Sequence, residues 1–404
     1  MESTRPKHEL LRTILSFALI PLSGFATDIY VPSLPAMAVQ LHIPASTAQL
    51  TLITFMISYG IAQIFVGSVL DSFGRYRIGT ASLLLFAGAS FAVALSGNIE
   101  LIQSMRILQG VTAALIVVSK RAFFIDTFAG DRLKHYTSLF SIIWATAPIV
   151  APFIGAYLQK LFGWESNFYF LGAYTLIVMI FEMIYGRESI VNRQVFKAGP
   201  ILEAYANVLK TKDYTLALFI VGLNYAMLVI YNMSSPFIIE HRFHLTSIVT
   251  GYCSLLSGVF FMAGGIISKI MINRPFVKKL TVAILIQSVV ALFMIMISAI
   301  YVNIYLMIGT TLVIHLLSGF IFNNIFAYCL QRFTKSAGTA SGVTGGGLYI
   351  LTSLFSYGLA HMINITDQLY LGMAYLLFGL LTCITFWIFV GARNKRPDIA
   401  PRTL

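Results

Sequence analysis

The chain has 404 residues, 58% of them hydrophobic and only 10% charged, where a soluble protein of this size carries about 25% charged residues. That balance excludes a soluble globular protein and points to an all-α polytopic membrane protein. The net charge of +12 then reflects basic residues sorted to the cytoplasmic side, not an affinity for nucleic acid.

Basic residues ahead of an apolar stretch, with Ala36-Met37-Ala38 beyond it, imitate a secretion signal. The stretch is too long for a signal core and contains Pro21 and Asp28, so it is expected to be an uncleaved first helix. Between Thr13 and Val31 the only charged side chain is Asp28. An ionised Asp at the centre of a bilayer costs about 2.5–3.5 kcal/mol even on the lenient insertion scale, so it should face a bundle interior or a wet cavity. Permanent pairing with a buried cation is the structural alternative, and a functional carboxylate is the default.

Apolar runs between charged or Gly/Pro-bearing breaks predict twelve transmembrane helices over 12–34, 46–70, 78–96, 99–122, 135–159, 166–186, 213–238, 247–271, 279–299, 302–329, 338–362 and 368–391. The longest polar break, Arg187–Tyr214, divides the chain into a six-helix bundle over 1–186, a cytoplasmic loop over 187–212 and a second six-helix bundle over 213–404. Asp28-Ile29-Tyr30 with Pro35 recurs as Val229-Ile230-Tyr231 with Pro236, as a pseudo-symmetric repeat would give. Asp28 then aligns with Val229, and the titratable site belongs to the first half alone. With the N-terminus inside, all but three of the 27 Lys and Arg fall on the cytoplasmic side; Lys160 and Arg242 lie outside and Arg106 within a span. Both termini are therefore expected in the cytoplasm. Cys253, Cys329 and Cys383 all fall in spans, and they suggest neither a disulfide framework nor a metal site.

Spans two and three are joined by Gly67-Ser68-Val69-Leu70-Asp71-Ser72-Phe73-Gly74-Arg75-Tyr76-Arg77. Gly74 permits the reversal, Gly67 lets a neighbouring helix approach, and Asp71 can meet a helix end or a cation. This stretch resembles motif A of the major facilitator superfamily, which in that family latches the two halves on the cytoplasmic side. Arg106-Ile107-Leu108-Gln109-Gly110 resembles motif B, whose arginine is implicated in proton coupling. Ala147-Pro148-Ile149-Val150-Ala151-Pro152-Phe153-Ile154-Gly155-Ala156 resembles motif C of antiporters, with Ala156 in place of its second glycine. Together with Asp28-Ile29-Tyr30-Val31-Pro32 and Ser235-Pro236-Phe237-Ile238, these runs resemble the Bcr/CflA group of twelve-helix drug:proton antiporters. After span four that group reads R-A-x-x-R-D, and here Ile125 replaces the second arginine of Arg121-Ala122-Phe123-Phe124-Ile125-Asp126.

The resemblance implies the major facilitator fold. Asp28 and Arg106 would be the proton-coupling residues, and Gly67, Asp71, Gly74, Arg75 and Asp126 an inner gate. Pro148, Pro152 and Gly155 would form the antiporter motif. Each of Asp28 and Arg106 stands seven residues from the outer end of its span, roughly 10 Å deep at 1.5 Å per residue, so carboxylate and guanidinium could meet. Tyr30, Tyr59, Gln63, Asn224, Tyr225, Tyr231, His315 and Asn323 are candidates for a substrate cavity, although helix packing or bridging explains many such residues equally well. Among them His315 could titrate near neutral pH or be a hydrogen-bonded packing residue. Glu182, close to Arg187, reads as an interfacial acid. Gly342 and Gly346–Gly347 read as packing positions.

The leading expectation is a secondary exporter, a monomer in the bacterial inner membrane. It would exchange protons for small organic molecules and use the proton gradient with no cofactor or metal. A dedicated exporter of one endogenous metabolite or metallophore is the alternative. No Walker A pattern occurs, which favours a gradient as the energy source, and no H-E-x-x-H or G-x-S-x-G pattern supports an intramembrane enzyme. A non-transporting sensor is a further, less favoured alternative.

Overall fold

The computed structural model describes residues 8–190, 198–333 and 337–394. Arg5, Lys7, Arg193, Lys197, Lys335, Lys395, Arg396 and Arg402, which carry part of the topology argument, lie outside the described residues. Every regular element among the described residues is helical.

The first span is not the single helix expected over 12–34. It is α1 (Glu9–Leu19), α2 (Leu22–Asp28), a 3-10 turn (Val31–Ser33) and α3 (Leu34–Gln40). Pro21, Pro32 and Pro35 have no N–H to give to the carbonyl four residues back, so the ladder breaks before α2 and again after Asp28. Apolar residues beyond the breaks carry the span on to Gln40.

The chain continues as α4 (Ala45–Phe73), α5 (Arg75–Leu95), α6 (Ile99–Thr127), α7 (Gly130–Phe162), α8 (Glu165–Tyr185), α9 (Ala198–Leu209) and α10 (Lys212–Phe237). A π turn (Ile238–Arg242) follows, then α11 (Ser247–Ile270), α12 (Phe276–Ser298), α13 (Ile304–Gln331), α14 (Ala337–Met362) and α15 (Gln368–Asn394). Eleven spans among the described residues are long and apolar enough to cross a membrane. The 26 residues of α14 reach about 39 Å at 1.5 Å each, enough for a further crossing. Pro148 and Pro152 both lie inside a continuous α7.

α9 corrects the reading of 187–212 as loop throughout. Gly199 and Pro200 stand in its first turn, where a missing N–H costs nothing. Tyr205 and Val208 then pack on a core with Tyr214, Leu280 and Phe389.

The chain divides into two compact units, one of Met1–Ile43 with Thr54–Phe196 and one of Pro44–Ile53 with Lys197–Leu404. In the first, α5 packs on α6 and α8, and α2 on α7. In the second, α11 packs on α13, α12 on α15, and α10 on α13, α14 and α15. The apolar window of α10 is 83% buried, against 33% for α11 and for α12, which present a broad apolar face outward. A buried ion pair closes one end of that unit. Arg332 Nε donates to Asp213 Oδ2 at 2.6 Å, and Tyr328 Oη donates to the same oxygen at 2.6 Å. These bonds hold the Arg332 guanidinium above its ordinary range.

Candidate functional site

The break in the first span puts Asp28 at the end of α2, where it is 5% exposed. One helix away, α6 buries Arg106 completely. Arg106 and Gln109 lie three residues apart and so share a helix face. Arg106 Nη1 donates to Gln109 Oε1 at 2.8 Å and to the Ala26 carbonyl on α2 at 3.1 Å. Gln109 Nε2 in turn donates to Ser90 Oγ on α5 at 2.8 Å. Three rings enclose the guanidinium, with Phe55 at 4.4 Å, Tyr30 at 4.8 Å and Phe168 at 5.8 Å from its central carbon. The Tyr30 hydroxyl hydrogen-bonds to Arg106, and the Asp28 carboxylate acts on it electrostatically.

The structure therefore brings Asp28, Tyr30 and Arg106 into one buried cluster. A guanidinium does not lose its proton in a protein, so its charge is permanent there. Ring faces and carbonyls offset its desolvation, each desolvated cation–π contact contributing about 2 kcal/mol.

The antiporter-like run on α7 abuts this cluster. A Cβ added to Gly155 would stand 1.5 Å from the Ile29 carbonyl oxygen, so α7 approaches the break as closely as backbone allows. A Cβ on Gly24 would likewise stand 2.8 Å from Ala147 Cβ and 3.0 Å from Pro148 Cδ. Ala156, where the family pattern has glycine, is fully buried.

The α4–α5 turn forms a second polar cluster. Gly74 has φ 97°, a conformation that side chains with a Cβ rarely adopt. Arg75 pairs with Asp71 at 2.9 Å and with Asp126 on α6, and donates to the Ala122 carbonyl at 3.1 Å. Ile125 is exposed, and the Arg75–Asp126 pair forms without a second arginine there. Gly67 departs from expectation: a Cβ there meets nothing within 4 Å, so close helix approach is not what calls for glycine at that position.

Sequence reasoning missed two partners at this end. Glu188 accepts from the backbone N–H groups of Arg75 at 2.9 Å and Tyr76 at 3.2 Å, capping α5. Ser189 Oγ donates to Asp126 at 2.8 Å. Glu182, in the last turn of α8, is 3% exposed and paired with Lys120 at 2.7 Å. An acid placed just after span six, level with the α5 N-terminus, was the available signal for Glu188.

The other candidates divide by burial. Tyr30, Tyr59, Asn224, Tyr231 and His315 are at most 1% exposed, while Gln63 and Tyr225 are half-buried and Asn323 is exposed. Helix–helix hydrogen bonds engage the polar atoms of Asn224 and His315. Asn224 Nδ2 donates to Thr382 Oγ1 on α15, and Asn224 Oδ1 accepts from Gln287 Nε2 on α12, each at 3.4 Å. His315 contacts Ser257, Met227 and Tyr375. Tyr225 joins a ring cluster with Phe261, Phe322 and Tyr349. Among the described residues, no three His, Cys, Asp or Glu side chains converge as metal ligands.

The family model of the Major Facilitator Superfamily matches residues 17–356. The chain is 27% identical over 366 residues to the uncharacterized MFS-type transporter YdgK of Bacillus subtilis, covering 87% of this chain and 88% of that one. It is 24% identical over 388 residues to the bicyclomycin resistance protein homolog of Haemophilus influenzae, covering 93% and 94%. To the multidrug resistance protein MdtL of Salmonella paratyphi C it is 28% identical over 198 residues, about half of each chain. Among solved structures, a bacterial homolog of the human lysosomal transporter Spinster, inward-facing and unoccupied, superposes with a TM-score of 0.72 at 12% identity, covering 99% of this chain and 100% of that one.

Proposed function

Since the chain belongs to the major facilitator superfamily, we propose that this transporter is a proton-coupled antiporter that exports small organic molecules from the cytoplasm. The carrying observation is the buried cluster of Asp28, Tyr30 and Arg106, with Gly155 of the antiporter-like run pressed on the same break. A carboxylate on irregular backbone, beside a fixed cation, can change its proton affinity when the break moves by a small distance. One pKa unit is about 1.4 kcal/mol, and charge pairs in a medium of reduced dielectric vary by more than that over a few ångströms. A conformational change can shift protonation only through such a difference between states.

The organic-substrate reading is supported by relatives named for resistance to bicyclomycin and to multiple drugs. In this reading Arg75, Asp71 and Asp126 work as an inner gate, and both termini are cytoplasmic. Cysteines placed at Lys160 and Arg242 should then label from outside, and labelling only from within would reverse the topology.

The test is transport in proteoliposomes under a pH gradient, screened over cationic drugs, neutral drugs and metal chelators. Asp28→Asn keeps the shape of the side chain but cannot ionise. It should abolish accumulation against a gradient and still allow downhill exchange of any substrate that does not need the charge. If Asp28→Asn still concentrates substrate, the proton site lies elsewhere. Transport of a single chelator class, with no drug moved, would favour a dedicated metallophore exporter.

A further inference from the structure

The second unit contains an uncharged copy of the Arg106 cluster. Arg106-Ile107-Leu108-Gln109-Gly110 on α6 is matched by His315-Leu316-Leu317-Ser318-Gly319 on α13. Both glycines sit at a crossing where no Cβ fits: one added to Gly110 would stand 2.5 Å from the Phe55 carbonyl oxygen on α4, and one added to Gly319 1.9 Å from the Phe261 carbonyl oxygen on α11. Arg106 reaches the Ala26 carbonyl at 3.1 Å, and His315 Nε2 lies 3.3 Å from the Met227 carbonyl oxygen. Ala26 and Met227 each stand four residues before the tyrosine that packs on the cation or the imidazole. Tyr30 lies 4.8 Å from the guanidinium, and the Tyr231 ring 5.3 Å from the imidazole. A ring from the last helix of each unit completes the cage, Phe168 of α8 in one and Tyr375 of α15 in the other, each at 5.8 Å. Gln109 bonds Ser90 of α5 at 2.8 Å, and with the roles reversed Gln287 of α12 donates to Ser318 at 2.8 Å.

One position breaks the correspondence. Where the first unit has Asp28, the second has Val229, 4% exposed. A cation buried without a counter-charge is costly, so losing the carboxylate favours replacing the guanidinium with a group that can be neutral. A neutral imidazole fits its partners. Met227 O can only accept, so a proton on Nε2 satisfies it; the Tyr375 hydroxyl, 3.2 Å from the same nitrogen, then accepts too, and Nδ1 accepts from Ser257 Oγ at 2.6 Å. Titratable neighbours come from α10 (Tyr231) and α15 (Tyr375), with Ser257 from α11. None of these is a carboxylate or a base.

We propose that His315 is the second unit's counterpart of Arg106, a positioning residue. It remains neutral with Nε2 protonated, and fixes α10 through the Met227 carbonyl without sharing in proton binding. Resting on the antiport reading, this makes α10 the pH-indifferent partner of the Asp28-bearing segment.

Two measurements on the full chain in nanodiscs test it. In the first, 15N NMR of histidine-labelled protein identifies the His315 signal by its loss in His315→Gln. A neutral ring protonated at Nε2 is expected throughout the range between about pH 5 and pH 9. An imidazolium, or an Nδ1-protonated ring, overturns the proposal. In the second, hydrogen exchange is followed in the α10 peptides around Met227. His315→Ala should raise exchange there about tenfold, as for the loss of one buried hydrogen bond. His315→Gln, whose amide can donate to one partner and accept from the other, should restore protection. Unchanged exchange in His315→Ala, or a glutamine variant as loose as the alanine one, overturns it. Should His315→Ala not fold, the glutamine variant and the NMR signal still decide. Neither readout depends on transport, so failure of the antiport reading would appear separately, as uphill transport by Asp28→Asn.

Discussion

Arg106 shows how residue type constrains the site. The bonds from Nη1 to Gln109 and Ala26 use the planar fork, and the Phe55, Tyr30 and Phe168 rings use its flat faces. An ammonium has the charge but neither the fork nor the planar stacking surface. Arg106→Lys should therefore lower proton-driven transport by about tenfold or more, since a hydrogen bond to a charged group contributes about 1.5–3 kcal/mol. The measurement is initial rate in proteoliposomes at matched protein content, and wild-type rate in the lysine variant would deny the fork any role. Arg106 and Asp28 were legible in the sequence because charge inside an apolar span stands out. Gln109 and Ser90 were not, because polar uncharged residues in spans usually serve packing and carry no comparable cost. The partner of Glu182 was hidden for a related reason: Lys120 lies on another helix, and no sequence spacing links them.

The elements were predicted best where a helix crosses without interruption. α4 through α8 and α10 through α15 each begin and end within a few residues of the expected bounds, because long apolar runs leave little room for error. The first span failed for a local reason, as three prolines within one apolar run divide a helix without changing its hydropathy. α9 was hidden by the basic residues on either side of it. The contact between α7 and the α2 break is the element-level feature with the sharpest consequence. Gly155→Ala would drive a methyl group into the Ile29 carbonyl, and trimming a neighbouring side chain cannot relieve a clash with backbone. We expect the variant either to lower thermal stability by several degrees, with about 1–3 kcal/mol lost to overpacking, or to move the break and uncouple proton from substrate flux. A Gly155→Ala protein with wild-type melting and wild-type coupling would show that α7 and the break shift freely against each other.

At the scale of the molecule, the two units share a plan and differ in charge. The repeat around Tyr30 and Tyr231 was visible in the sequence. The equivalence of Arg106 and His315 was not, since the residues differ in type and only their shared contacts align them. The difference bears on the energetics of the whole cycle in a membrane that holds a voltage. With Asp28 ionised, the carboxylate and the guanidinium sum to zero; with Asp28 protonated, the cluster carries one positive charge. Moving one elementary charge through the potential is worth about 2.3 kcal/mol per 100 mV. Under the proposed mechanism, the proton-loaded first unit is drawn inward by an interior-negative voltage, while the second, neutral at His315, is indifferent to it. Export of an uncharged molecule should then slow when the voltage is clamped to zero at a constant pH gradient, and an unchanged rate would mean that the rate-limiting step moves no net charge. In electrical terms, the proton supplies the charge, and Arg106 decides that the loaded state, not the empty one, is the state that feels the voltage.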